Sequence, residues 1–171
     1  MSIKLIRIDD RLIHGQIVEA WLPHLEADQI VVADDEISRD PLKKRIAEIS
    51  TPPNIKVVIR PVAEAVAYLR ESQASPSSPA TIVLFASVAA VARAIDLGLP
   101  VTELNLGNIH YEHGKTQVSD SISLDNREVE LLDEIAGRGV KIFIQPVPKL
   151  PARDFFACLS KKCICPSHRK V

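Results

Sequence analysis

At 171 residues the chain is long enough for one domain with a substantial core and short for two. Its composition, 46% hydrophobic and 25% charged, is globular; a net charge of −1 and only 4% aromatic residues argue against a nucleic-acid partner, which needs a basic surface or stacking platforms. No apolar run approaches the ~18 residues of a membrane helix, and "MSIKLIRIDD" turns charged too early for an N-terminal signal, so a soluble, cytoplasmic protein is expected.

In chain order, "IKLIRI" (3–8) reads as a strand and "HGQIVEAWLPHL" (14–25) as a helix that packs Trp21 into the core. A strand at 29–34 leads to a helix over 39–50, started by Asp40 before Pro41. A strand at 56–61 is followed by a helix over 61–72 and by "QASPSSPA" (73–80), whose composition is that of a flexible loop. The strand at 81–86 feeds a helix over 87–98, with Ser87 as its start and Gly98 as its stop. After a strand at 101–106, residues 108–124 lack helical period and suit an extra strand or a flap. A helix over 125–139, with Gly137 as its stop, and a strand at 140–147 complete the pattern.

Most of these strands are near-continuous in Val, Ile and Leu, the mark of burial on both faces. Strand–helix alternation then predicts right-handed crossovers in a single α/β domain: an open, mainly parallel sheet with helices on both faces. Cys158, Cys163 and Cys165 lie in the last fourteen residues, which makes no disulfide framework and fits a reducing compartment. With His168 they have poor spacing for a zinc site, and the tail is expected to be poorly ordered and free of metal.

The chemistry concentrates in "DDRLIHGQ" (9–16). In an open parallel sheet, ligands gather where strands end and helix N-termini begin, and such an end favours phosphate. His14 offers a nucleophilic imidazole, Gly15 lets a phosphoryl group approach the backbone, and Arg11 brings a fork of donors suited to its oxygens. Asp9 or Asp10 either holds the non-attacking ring nitrogen or fixes Arg11. Ser87 lies at the same sheet edge, within reach of a phosphoryl group, and Asp35 at its rim; His110 and His113 are expected to line that rim or face water. The acid pairs Asp9–Asp10 and Asp34–Asp35 leave open a receiver-like domain that binds Mg²⁺ and is phosphorylated on aspartate, and "GKT" (114–116) lacks the context of a P-loop.

The stretch "RIDDRLIHGQIVEAW" resembles the start of the IIB component of the mannose/fructose/sorbose family of the bacterial phosphoenolpyruvate-dependent sugar phosphotransferase system. "IVVADDEISRDPLKKRIAEISTPPNIKV", "LNLGNIHYEHGKTQVSDSISLDNREV" and "GVKIFIQPVP" continue the likeness in order over residues 1–157, with 158–171 a divergent cysteine-containing tail. The resemblance implies an open α/β fold and a phosphocarrier that needs no metal or organic cofactor. It implies that His14 is phosphorylated on Nδ1 by a phosphohistidine of a IIA component. The group then passes to a sugar carried by membrane IIC and IID components, with which the protein associates peripherally. Arg11 matches the arginine beside the phosphoryl group, and Asp10, Gly15 and Gln16 match the rest of the loop. Asn108 departs from the pattern, standing at the rim where many relatives have a second glycine. A regulator that takes phosphate from a IIA-like partner without serving a permease would carry the same loop.

Overall fold

The computed structural model describes residues 2–73 and 78–161. Six strands run parallel: β1 (Ser2–Asp9), β2 (Gln29–Ala33), β3 (Lys56–Arg60), β4 (Ala80–Phe85), β5 (Glu103–Asn108) and β8 (Lys141–Ile144). Their order is β3-β2-β4-β1-β5-β8, and a two-residue β9 (Arg153–Asp154) closes the edge antiparallel to β8. The sequence reverses direction across the sheet at β1, which puts the ends of β1, β4 and β5 at the switch point where such sheets bind ligands.

Alternation along the strands sends side chains into two cores. On one face Val31, Ala33, Val83 and Phe85 pack with residues of α3 (Val62–Gln73), α4 (Val88–Asp96), α5 (Asn126–Gly137) and α6 (Phe155–Lys161). On the other, Ile30, Val32, Ile82 and Leu84 pack against Ile17, Trp21 and Leu22. Helices therefore cover both faces, as the strand composition predicts.

The expected starts hold. Asp40 accepts the Leu42 and Lys43 amides ahead of α2 (Pro41–Ile49), and Ser87 accepts that of Ala90; the structure adds a capping box of Asp125 with Glu128 ahead of α5. The stop after α4 is Gly98, at φ +89°, whereas after α5 the left-handed turn falls on Gly139 (φ +88°) and not on Gly137. The helix expected over 14–25 is a π-helical stretch, Gln16–Trp21, running into a short α1 (Leu22–Leu25). Pro23 has no N–H to return to the preceding turn, so the regular ladder is broken there.

Residues 108–124 hold a hairpin, β6 (Thr116–Ser119) and β7 (Ile122–Leu124), bridged back to the sheet edge through Ile109 and Ile122. The boundary expected after residue 157 falls inside α6, where Leu159 is buried and Cys158 packs against the core. Residues 74–77 of the expected loop, and Cys163, Cys165 and His168, lie outside the described residues.

Candidate functional site at the carboxyl edge of the sheet

Arg7 begins the construction. It stands between Ile6 and Ile8 near the end of β1 and is wholly buried, as is Asp9 two residues on. Its Nε and Nη2 donate to Asp9 Oδ2 at 3.0 and 2.8 Å, and Nη1 donates to Asn105 Oδ1 at 2.5 Å. Nη1 and Nη2 also donate to the carbonyls of Gln145 and Pro146, at 2.9 and 3.1 Å. Those carbonyls explain why the strand expected to reach 147 stops at Ile144: they serve the guanidinium instead of a ladder. Trp21 lies under the guanidinium, 5.5 Å from its carbon, and its Nε1 donates to the Pro146 carbonyl, so it is core packing with a second task. The whole cage depends on Gly107, because a Cβ there would sit 1.8 Å from the guanidinium carbon.

The buried cation makes Asp9 a fixed acceptor. Oδ2 takes His14 Nε2 at 3.0 Å as well as Arg7, while Oδ1 takes the Arg11 amide at 3.2 Å and the Asp9 carbonyl takes the Leu12 amide at 2.9 Å. The turn that results puts Leu12 at φ +53°, an unfavourable backbone for leucine held by its buried side chain. Burial alone would push the Asp9 carboxyl up, but the His14 hydrogen bond and the Arg7 charge outweigh it and hold it below its ordinary value.

A carboxylate can only accept, so His14 Nε2 carries the proton and the ring's lone pair is on Nδ1. Nδ1 is buried and has no hydrogen-bond partner among the described residues. The ring is largely covered, with its side chain 8% exposed. Around it the surface opens. Arg11, Gly15 and Gln16 are exposed, and a Cβ at Gly15 would meet nothing within 4 Å. No side chain caps the start of the π-helical stretch, in contrast to the caps of α2, α4 and α5. Arg11's guanidinium has no ion pair among the described residues, so its charge is available to an incoming anion.

The other sequence candidates distribute differently. Asp10 does not touch His14; its carboxylate accepts Asn108 Nδ2 at 2.7 Å and the His110 amide at 2.6 Å, and lies 2.8 Å from His110 Nδ1. The ring-holding acid is Asp9. Ser87 Oγ caps α4 by accepting the Ala90 amide at 3.2 Å, which leaves its hydroxyl proton free to donate near the ends of β1 and β4. Asp35 is tied to the Val62 amide at 2.9 Å and to Arg93 Nη1 at 2.5 Å, contacts that hold its carboxyl below the ordinary value and join β2 to α3 and α4. Asp34 accepts the Glu36 and Ile37 amides, and His113 faces solvent. Among the described residues no group of three acids, histidines or cysteines is placed to hold a metal ion.

Sequence reasoning missed Arg7, Asn105, Gly107 and the paired carbonyls. The available signal was an arginine at a core-facing position of an apolar strand with an aspartate two residues later, since buried charges need partners.

Fold and edge together define a single-domain α/β protein whose polar machinery sits at the carboxyl ends of its central strands. The model of the PTS system sorbose subfamily IIB component matches residues 3–169. The chain belongs to that family. It is 33% identical over 157 residues to the sorbose-specific EIIB component of Lacticaseibacillus casei, covering 92% of this chain and 94% of that protein. It is 29% identical to the mannose-specific EIIAB component of Escherichia coli K12, covering 94% of this chain and 50% of that longer protein. The IIBSor domain of the Klebsiella pneumoniae sorbose permease superposes with a TM-score of 0.88 at 28% identity, over 96% of this chain and all of that one. The manxB structure from Thermoanaerobacter tengcongensis gives 0.86 at 31% identity, over 95% and 97%. IIB components act as sugar phosphotransferases together with IIA and membrane IIC and IID components. Among the described residues no helix is long and apolar enough to cross a membrane.

Proposed function

We propose that His14 is the phosphoryl carrier, accepting on Nδ1 from a phosphohistidine of a IIA partner and delivering to a sugar brought by IIC and IID partners. The observation that carries this reading is the saturated Asp9: by accepting the hydrogen bond of Nε2–H it keeps the proton on Nε2 and leaves the lone pair on Nδ1. In loading, the Nδ1 lone pair forms the new N–P bond while the donor's N–P bond breaks and its electrons return to the donor imidazole. Arg11, the amides of Gly15 and Gln16, and the Ser87 hydroxyl are the donors for the transferred oxygens, work that alignment and charge can do without a metal. Loading needs the Nδ1 edge uncovered, and the open space beside Gly15 is where that movement has room. In this reading Asp10, Asn108 and Asp35 shape the rim and do not touch the group.

The test is to incubate the protein with phosphoenolpyruvate, the general phosphocarrier proteins and a IIA component, then map the label. Acid-labile, alkali-stable phosphate on His14 Nδ1 is expected, and none on His14→Ala. Label on another residue, or on Nε2, overturns the assignment.

A further inference from the structure

Transfer from one imidazole to another moves no proton, whereas transfer to a sugar hydroxyl does. The hydroxyl proton must leave as the O–P bond forms, and this second step calls for a base at the same edge. The buried acid is not available: the Asp9 oxygens are occupied by Arg7, His14 and the Arg11 amide. The Asp10 oxygens are likewise engaged, by Asn108 and by His110.

His110 itself is different. Both Asp10 oxygens lie within 2.9 Å of its Nδ1, nearer than the Asn108 Nδ2 at 3.1 Å; with Asn108 Nδ2 itself donating to Asp10, the carboxylate accepts the hydrogen bond of Nδ1–H and the lone pair is on Nε2. The side chain is 63% exposed. Asn108 Nδ2 supports the same carboxylate, and the His110 amide anchors the residue to Asp10 a second time. A carboxylate holding Nδ1–H with Nε2 facing outward is the arrangement of a general base. It hangs from Asp10, the direct chain neighbour of the acid that holds His14.

Resting on the carrier reading above, we infer that the Asp10–His110 pair is the base for the second half-reaction, taking the proton of the acceptor sugar's hydroxyl. The hydroxyl oxygen forms the bond to phosphorus and the N–P bond to His14 breaks. Its electron pair returns to Nδ1, the proton moves to His110 Nε2, and Asp10 stabilises the imidazolium until water removes it.

The two half-reactions separate the outcomes. His110→Ala is loaded from a phosphorylated IIA component, isolated, and chased with membranes carrying the IIC and IID components and sugar. Loading within about twofold of wild type, with sugar phosphate appearing about 10²-fold more slowly, is expected from removal of a base. Added imidazole should restore part of that rate. A chase at the wild-type rate overturns the inference. So do equal losses in loading and chase without rescue by imidazole, which would make His110 a prop for its loop. Wild-type protein that takes no label at His14 refutes the carrier reading instead, a result visible before any chase.

Discussion

Two aspartate–histidine pairs grow from consecutive residues at the end of β1, and they could hardly be more different in setting. Asp9 is wholly buried, backed by a buried arginine, and its histidine side chain is 8% exposed. Asp10 is 27% exposed, backed by an asparagine, and its histidine is 63% exposed. The pairs even use opposite ring nitrogens: Nε2 of His14 against Asp9, Nδ1 of His110 against Asp10. Asp9 is the last residue of β1 and is buried beside Arg7, while Asp10 lies just beyond the strand and turns to Asn108 and His110. In the dry pair the protein alone decides where the proton sits; in the wet pair water competes and the proton can leave. A nucleophile that must remain a nucleophile suits the first setting, and a base that must release its proton suits the second.

The comparison breaks most visibly at the rings. His14→Gln should abolish labelling from a phosphorylated IIA component, a loss of more than about 10³-fold, while His110→Gln should accept label almost normally; equal losses would erase the distinction. Next in size is the support beneath each acid. Arg7→Leu leaves the Asp9 carboxylate buried without its cation and should cost about 3–5 kcal/mol in urea unfolding. Asn108→Ala, beside the half-exposed acid, should cost about 1 kcal/mol.

Acid titration sharpens the same contrast. The native Asp9 carboxyl lies below its ordinary value, so its contribution is fully present above about pH 4 and is lost as pH falls through the lower native value. Asp9→Asn should therefore flatten the acid limb of the stability curve, measured by denaturant unfolding at each pH; an unchanged limb would mean that Asp9 is not the group responsible. Arg11→Lys keeps the charge but not the fork, and loading should slow about tenfold with stability unchanged within about 0.5 kcal/mol. Smallest of all, Arg93→Ala at the exposed Asp35 pair should shift stability by less than about 1 kcal/mol and leave loading alone.

Much of this architecture was legible residue by residue. Apolar runs such as 29–34 and 81–86 specify strands buried on both faces, because no polar position is left to meet water. Asp40 and Ser87 specify helix starts, because a short acceptor is what free amides need. Spacing also singled out the "DDRLIHGQ" loop as the place where chemistry gathers. It did not divide the labour between Asp9 and Asp10, since two adjacent carboxylates are equivalent until the fold buries one beside Arg7 and turns the other toward Asn108 and His110.

By itself, then, the sequence determined the α/β alternation, the helix caps and the loop that carries His14, all of which depend on local preference and period. Tertiary structure alone decided that Arg7 is caged by carbonyls from residues 145 and 146, that Gly107 makes room for it, and that the His14 ring is covered and its lone pair directed to Nδ1. The Arg7 cage joins groups 98 to 139 positions apart, and only the pairing of β1, β5 and β8 brings them within hydrogen-bond distance, whereas the Asp9–His14 bond spans five positions and relies on that cage to hold its acceptor.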